Sequence, residues 1–511
     1  MTSITAADVA GLLSRLRTAG VQLRAENGRL VLDAPRGAVD DDLLALVRAS
    51  KEELLRRLTT GGGTGPAAAR LPAAAPARWY PLSSGQQRLY YTQLLYPDAV
   101  TYQILDVLRL DGPVEAARVE NTLRALVRRH EGLRTGFDLV DDEPRFTVHD
   151  EVDFHLERVT DPGFTPGDTA DFVRPFDLTA PPLLRGRLVE VRDDLHYLLL
   201  DKHHLVFDAA SREPFARDFA RIHRGETPPP PARTYKDFAV WQNDLEGTEL
   251  TAAAAHWDTV FSAAPRVGPD PVKAHPELFG TDSRRAHVDL TGEEIRRVGA
   301  YCRAQGLTTA TFLQAAYHVA LHRFSGQDEV VVGFPVDLRA GVGLDDQLGL
   351  FVNTVPVRSF PEDRLLFTEY AATVRDGVLA AIDHGQYPYD ALVDRVSARR
   401  NMSEDPLVDG FFNMATEGTG PSPWAAAGLT EEAGDPKAAL PELPCLTCRF
   451  DLTLSVLEGP GTLRLELECT TALLDEATVG RIVRDMAAVV HHVVADPGTT
   501  IGALPGAEAV T

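Results

Sequence analysis

The N-terminal part of the chain shows the pattern of a small independent unit. Apolar residues between positions 9 and 16 recur at intervals of three and four, which predicts a helix. Between residues 21 and 32 apolar and polar positions alternate on both sides of an Asn-Gly pair, which predicts a β-hairpin. Acidic residues at 40–42 open a further helix, and a second short helix is predicted from about residue 50 to residue 58. Residues 1–58 are therefore predicted to form a small α/β domain of the order helix, hairpin, helix, helix.

A change of composition separates this unit from the rest of the chain. Residues 59–78 are rich in Gly, Ala and Pro, which predicts a flexible linker with a span on the order of 25 Å. Beyond it the pattern alternates between helix and strand. An amphipathic helix is predicted at residues 114–129, and apolar strands at residues 195–200, 330–332 and 463–467. The mixture predicts an α/β (α+β) fold.

Composition and charge exclude several classes of function. The chain has 511 residues and a net charge of −23, which argues against binding to nucleic acid or to an anionic membrane surface. No segment has the length and apolarity of a membrane span, and the N-terminus lacks the features of a signal peptide, so we expect a cytoplasmic protein. Cys445 and Cys448 form a lone CxxC pair, too few ligands for a structural metal, and no metal site is predicted.

Two adjacent histidines carry the strongest chemical signal. His203 and His204 end the predicted apolar strand, and Asp208 follows four residues later. Neighbouring strand residues point to opposite faces, so only one of the two histidines can face a given cavity. A histidine can accept or hold a proton near neutral pH, whereas the carboxylate can fix the turn. Taken alone, the pair also fits a buried structural role or a metal ligand.

The histidines stand in a series of motifs that extends from residue 84 to residue 390. The segment HHLVFDA at residues 203–209 resembles the HHxxxDG signature of nonribosomal peptide synthetase condensation domains, except that Ala209 replaces glycine. Six further motifs of this family occur in the family's order: SGQQRLY at 84–90, RHEGLRTGF at 129–137, YKDFAVW at 235–241, GFPVDLR at 333–339, GLFVNT at 349–354 and QYPYD at 386–390.

The resemblance implies a fold and a set of site residues. Two lobes related to chloramphenicol acetyltransferase would meet in a V around a central tunnel, the first at residues 79–250 and the second at 251–505. By motif position His204 is the catalytic histidine, and the supporting residues are His203, Asp208, Ala209 and Arg339, with Arg339 as the expected salt-bridge partner of Asp208. Asn353, Tyr235 and Trp241 are candidates for the tunnel wall, although the two aromatic residues fit packing better than substrate contact.

Residues 1–58 separately resemble the N-terminal docking domains of the tubulysin-synthetase type. The resemblance rests on GVQL at residues 20–23, APRG at 34–37 and KEELL at 51–55. The candidate docking residues are Val21, Leu23, Arg24, Arg29, Leu30, Leu32 and Arg36. The implied partner is an upstream synthetase subunit.

The implied reaction is aminolysis of a thioester. Donor and acceptor peptidyl carrier proteins would supply the substrates on 4′-phosphopantetheine arms, and the chain itself would bind no cofactor. Such chemistry belongs to antibiotic and other secondary-metabolite biosynthesis. Two alternatives stay open, a free-standing acyltransferase with a soluble amine or alcohol acceptor, and a catalytically degenerate docking scaffold. The residues also leave open whether His204 is a general base or a positioning group.

Overall fold

The fold is described from a computed structural model, and the described residues fall into separate ranges. These are residues 22–26, 29–33, 51, 71–100, 102–245, 248–262, 283–339, 342–400, 407–416, 424, 429–431, 452–459, 461–470 and 473–505. The predicted N-terminal hairpin is present as β1 (Gln22–Glu26) and β2 (Arg29–Asp33), in antiparallel register with Leu23 opposite Leu32. The three helices predicted around it lie outside the described residues, apart from Lys51.

The predicted linker ends earlier than its composition indicates. Leu71 is 1% exposed and packs into the hydrophobic core of the first half of the chain. The backbone N–H of Ala74 donates to Asp237 at 2.8 Å. Residues 71–78, assigned to the linker by their Ala and Pro content, therefore belong to the folded body, because one buried leucine and side-chain hydrogen bonds hold them there.

The first half of the chain builds two sheets with helices against them. Its strands are β3 (Tyr80–Pro81), β4 (Gln103–Asp111), β5 (Thr135–Val140), β6 (Glu143–Val148), β7 (Leu156–Thr160), β8 (Leu184–Arg192) and β9 (Leu195–His203). Its helices are α1 (Ser84–Leu95), α2 (Ala116–Arg129), α3 (Arg212–His223) and α4 (Tyr235–Asn243). Short 3₁₀ turns follow α2 and β9, at Glu131–Arg134, His204–Val206 and Ala209–Ser211.

The second half builds one six-stranded sheet. Its helices are α5 (Thr248–Val260), α6 (Gly292–Gln305), α7 (Thr309–Ser325), α8 (Phe367–Asp383), α9 (Tyr389–Arg400) and α10 (Glu476–Ala495), with a 3₁₀ turn at Ile501–Ala503. Its strands are β10 (Ser283–Thr291), β11 (Val330–Asp337), β12 (Val352–Ser359), β13 (Gly410–Thr416), β14 (Thr430–Glu431), β15 (Leu452–Gly459) and β16 (Thr462–Thr470). The sheet order is β10-β16-β15-β13-β11-β12, whereas β14 leaves it and joins the first half.

Strand β9 occupies the middle of the sheet that carries the histidines. The order of this sheet is β14-β4-β9-β8-β7, and β3-β6-β5 form a second, smaller sheet. All nine residues of β9 are buried. The strand has a neighbouring strand on each side, β4 and β8, and side chains pack against both faces of the sheet. Leu198 and Leu200 pack into the large core of the first half, while Tyr197 and Leu199 pack into a smaller cluster on the other face. Consecutive residues at the end of β9 therefore point to opposite sides.

The two halves are joined by more than the connecting chain. Leu344, Leu348 and Phe351, which follow β11, pack into the core of the first half, and so does Trp424. The pairing of β14 with β4 adds a second connection. A division at residue 250 therefore does not describe the packing fully, because apolar side chains from the second half complete the first core.

No helix in the described ranges is long and apolar enough to cross a membrane.

Candidate active site

His204 is the partly exposed histidine of the pair. It begins the 3₁₀ turn after β9, and its backbone N–H donates to the carbonyl of Tyr102 at 2.7 Å. The residues on either side of it, His203 and Leu205, are buried. Burial of the ring lowers the pKa of His204 below its ordinary value, and the Asp208 carboxylate opposes this effect only in part. The imidazole is therefore neutral at neutral pH and able to accept a proton.

His203 holds the turn from the inside. Its Nδ1 accepts from the N–H of Leu205 at 3.1 Å, and its Nε2 lies 3.4 Å from Oε1 of Gln93. Burial, with smaller effects from His204 and Arg185, lowers the pKa of His203 to about 3. A neutral ring that accepts at Nδ1 and donates at Nε2 satisfies both contacts. This geometry fixes the backbone beside His204.

The expected partner of Asp208 is in place. Arg339 Nη1 donates to Asp208 Oδ2 at 2.8 Å, and Nη2 donates to Oδ1 at 2.6 Å. Both side chains are buried, and the Arg339 guanidinium also lies 4.2 Å from the centre of the Phe351 ring. The N–H of Phe351 donates to Asp208 Oδ2 at 2.9 Å. Residues from the second half thus clamp the turn that follows His204.

Ser211 is a central residue of this clamp that the sequence analysis did not single out. Asp208 Oδ1 accepts from the N–H of Ser211 at 2.9 Å and lies 2.8 Å from its hydroxyl. The Ser211 hydroxyl accepts from Arg339 Nη2 at 2.8 Å and from the N–H of Gly349 at 3.2 Å. Asp208 and Ser211, three residues apart, form a capping box at the start of the 3₁₀ turn. This Asp-x-x-Ser spacing is the sequence signal that indicates Ser211.

Ala209 is exposed and begins the 3₁₀ turn Ala209–Ser211. Among the described non-glycine residues only Asp141 and Asp142 have positive φ, so the backbone here does not demand glycine. A left-handed backbone is therefore excluded as the reason for the family's glycine at this position. The methyl group instead occupies accessible space five residues after His204.

The three candidates for the tunnel wall make structural contacts. The Tyr235 hydroxyl donates to the carbonyl of Leu350 at 2.8 Å and lies 2.7 Å from Ser83 Oγ. The Asn353 amide donates to the carbonyls of Gly385 and Tyr387, both at 2.8 Å. Trp241 is partly buried against the first core. Tyr235 and Asn353 therefore tie remote segments of the chain together, and Trp241 has a packing role.

Arg88 of α1 is a further charged residue near His204. Its guanidinium acts together with burial to lower the pKa of His204. Arg88 Nη1 lies 3.6 Å from Asp390 of α9, and the guanidinium lies 5.7 Å from the centre of the Tyr389 ring. The contact joins helices from the two halves beside the histidine.

The remaining predictions fall partly outside the described residues. Leu23, Arg24, Arg29, Leu30 and Leu32 lie on the hairpin, whereas Val21 and Arg36 lie outside the described ranges. Cys445 and Cys448 also lie outside the described ranges, while Cys302 and Cys469 are buried. Within the described part of the chain no three His, Cys, Asp or Glu side chains cluster as metal ligands would.

Two protein families match this chain. Residues 77–506 match the family described as "Condensation domain", and residues 9–59 match the "TubC N-terminal docking domain". Together the two matches cover the small N-terminal unit and the folded body.

Curated relatives are much longer than this chain. Tyrocidine synthase 3 of Brevibacillus parabrevis is 32% identical over 437 residues, which covers 84% of this chain and 6% of the relative. Surfactin synthase subunit 1 of Bacillus subtilis (strain 168) is 31% identical over 427 residues, covering 82% of this chain and 12% of the relative. The chain thus corresponds to one part of these proteins.

Solved structures agree on the fold. The X-domain from teicoplanin biosynthesis superposes with a TM-score of 0.73 at 22% identity, covering 85% of this chain and 99% of that chain. The condensation domain of the Monacolin K polyketide synthase MokA gives 0.70 at 20% identity, covering 84% and 100%. The expected chloramphenicol acetyltransferase-like α/β fold is confirmed, and the chain belongs to the condensation-domain family, with a TubC-type docking domain at its N-terminus.

Proposed function

We propose that this chain forms amide bonds between two substrates held on carrier proteins of a nonribosomal peptide synthetase. The donor is an acyl or peptidyl thioester on an upstream carrier, and the acceptor is an amine on a downstream carrier. Residues 1–58 dock to the upstream synthetase subunit. Membership of the condensation-domain family supports this function, because condensation domains catalyse amide-bond formation.

The chemistry asks little of the protein beyond positioning. An α-amino group has a pKa of about 8, so part of it is already neutral at cellular pH. Attack of the amine on the thioester carbonyl forms the C–N bond. Collapse of the tetrahedral intermediate breaks the C–S bond, and the carrier thiolate leaves. The surplus proton of the amine must pass to a base or to the leaving thiolate.

We assign to His204 the role of contacting the attacking amine. The observation that carries the proposal is a neutral, partly exposed imidazole whose neighbours on both sides are buried. Such a ring can orient the attacking nitrogen and take its proton as the intermediate forms. Asp208, Ser211 and Arg339 act on His204 by holding the turn that follows it.

The test is amide formation with loaded donor and acceptor carriers in the presence of the full chain. We expect turnover only when both carriers are present, and a loss of about 100-fold or more with His204→Ala, as is usual for an acid–base group. Turnover with one carrier and a soluble amine or alcohol would indicate a free-standing acyltransferase. An inert natural protein that still binds both carriers would indicate a docking scaffold.

A further inference from the structure

A second buried ion cluster lies beneath the turn that carries His204, and the mechanism above does not use it. Lys202 is fully buried at the end of β9 and forms an ion pair with Asp106 of β4, which is also buried. The Lys202 ammonium lies 4.8 Å from the centre of the Phe207 ring and 5.9 Å from that of Phe215. A charged residue has thus been placed in an otherwise apolar part of the first core.

The same carboxylate also binds the other end of the turn. Arg212, the first residue of α3, donates from Nη2 to Asp106 Oδ1 at 2.6 Å, whereas Lys202 is bound to Oδ2. Lys202 directly precedes the segment 203–211, and Arg212 directly follows it. Each oxygen of Asp106 therefore holds one end of the segment that contains His204 and Asp208.

The electrostatics agree with a charged cluster. Burial alone would raise the pKa of Asp106, but Lys202 and Arg212 together lower it below its ordinary value. The Asp106 carboxylate is therefore ionised. Burial lowers the pKa of Lys202, and the charge and hydrogen bond of Asp106 oppose that effect. Removal of Asp106 alone would leave Lys202 buried without its ion-pair partner, which is strongly unfavourable.

We propose that Asp106, Lys202 and Arg212 form a clasp that closes the base of the 203–211 turn and thereby positions His204. All three are positioning residues, since they act through the turn. The effect on reaction rate rests on the proposed function of His204, whereas the effect on the turn itself does not. Buried ion pairs are often no more stabilising than apolar side chains of equal size, so a role in geometry accounts better for their presence than stability does.

The design of the variants separates geometry from stability. In Asp106→Leu/Lys202→Met both buried charges are replaced together by apolar groups, so neither is left without a partner. Arg212→Met removes the ion pair with Asp106 at the other end of the segment, where the Arg212 side chain is half-exposed. Arg212→Lys keeps the positive charge at this position. The matched control is Glu329→Leu/Arg358→Met, which removes a buried ion pair of the second half, where Arg358 Nε donates to Glu329 at 2.8 Å.

Hydrogen exchange of the turn gives a readout that needs no substrate. The N–H groups of His204, Leu205, Phe207 and Ser211 are all hydrogen-bonded and should exchange slowly in the natural protein. We expect exchange in residues 203–211 to accelerate by about tenfold or more in the double variant and in Arg212→Met. Arg212→Lys should restore slow exchange, and the control pair should leave this segment unchanged.

Turnover then connects the clasp to the reaction. We expect kcat for amide formation to fall by about tenfold in the double variant, while KM for both carriers changes little. A displaced His204 slows the chemical step, whereas the surfaces that bind the carriers are unchanged. Unchanged exchange in residues 203–211, or equal acceleration in the control pair, would overturn the clasp. An inert natural protein would refute the proposed function, and the exchange result would still decide the clasp.

Discussion

Asp208 and Arg339 form a buried bidentate ion pair between positions 131 residues apart in sequence. Asp208 follows the histidine pair, whereas Arg339 comes from the segment after β11 in the second half. Ser211 and the backbone of Phe351 complete the hydrogen bonds of the carboxylate. The contact fixes the candidate active-site turn to a part of the chain that is remote in sequence, and it makes the turn sensitive to the packing of both halves.

Replacement of Asp208 by Asn should destabilise the fold as well as reduce turnover. Arg339 would remain buried without its anion, and loss of one partner of such a pair typically costs about 3–5 kcal/mol. Urea unfolding measures the loss of stability. Asp289→Asn is the control, because its pairing with Arg464 is much more exposed and should change stability by about 1 kcal/mol or less. A native unfolding midpoint for Asp208→Asn would contradict the importance of the pair.

The two histidines should respond differently to alanine. His204→Ala is expected to abolish most amide formation with an almost unchanged thermal midpoint, since its ring is partly exposed. His203→Ala removes the acceptor for the Leu205 N–H and leaves a cavity, so we expect a loss of about 2–4 kcal/mol in stability. Turnover and thermal melting of both variants test this. The assignment is reversed if His203→Ala is inactive with an unchanged midpoint.

Stability should fall as the pH is lowered from about 6.5, because buried histidines are neutral in the fold. Burial lowers the pKa of both His203 and His318 to about 3. An unfolded histidine has a pKa of about 6.5, so between these two values the unfolded chain binds more protons. Each such histidine should therefore reduce the free energy of unfolding by up to about 1.4 kcal/mol per pH unit.

Urea unfolding at pH 7.5, 6 and 5 measures this dependence. His318→Gln removes one of the two groups at a site in the second core, where the ring contacts Ser359. Its stability should be lower than that of the natural protein at pH 7.5 but should change less between pH 6 and pH 5. An equal slope in both proteins would show that His318 does not contribute.

Ala209 should determine which substrates are accepted. The position is exposed and its backbone does not require glycine, so the methyl group acts through the space it fills. We expect Ala209→Gly to change the ratio of rates among several donor and acceptor carriers, with little change in stability. Amide formation with a panel of carrier pairs measures this. If only the glycine variant is active, the natural domain is a scaffold.

Removal of residues 1–60 should separate docking from condensation. Leu71 already belongs to the folded body, so the truncated protein should keep its unfolding midpoint and condense at high carrier concentration. An upstream tail is expected to add a strand to the edge of the β1–β2 hairpin, and Arg24, Arg29 and Arg36 would attract acidic residues in it. Affinity for the upstream partner should therefore fall on truncation and, in the full chain, on addition of salt. Unchanged affinity after truncation would refute docking.

Much of the architecture follows from local patterns in the sequence. The amphipathic stretch before His130 forms α2, with Val119, Leu123 and Leu126 buried as its spacing predicts. The strand that ends at the histidines was predicted from its apolar run, and it extends from Leu195 to His203. Period and composition determine these elements, because each depends on residues only a few positions apart.

The arrangement of the site depends on contacts that local patterns do not contain. The capping of Ser211 onto Asp208 is local, yet its bonds to Arg339 and Gly349 exist only when the second half packs against the first. The burial of Leu71 likewise depends on a distant core. The sequence alone determined the family, several local helices and strands and the identity of the two histidines. The tertiary structure decided which histidine is partly exposed and which charges are paired, because side-chain direction and long-range packing determine both.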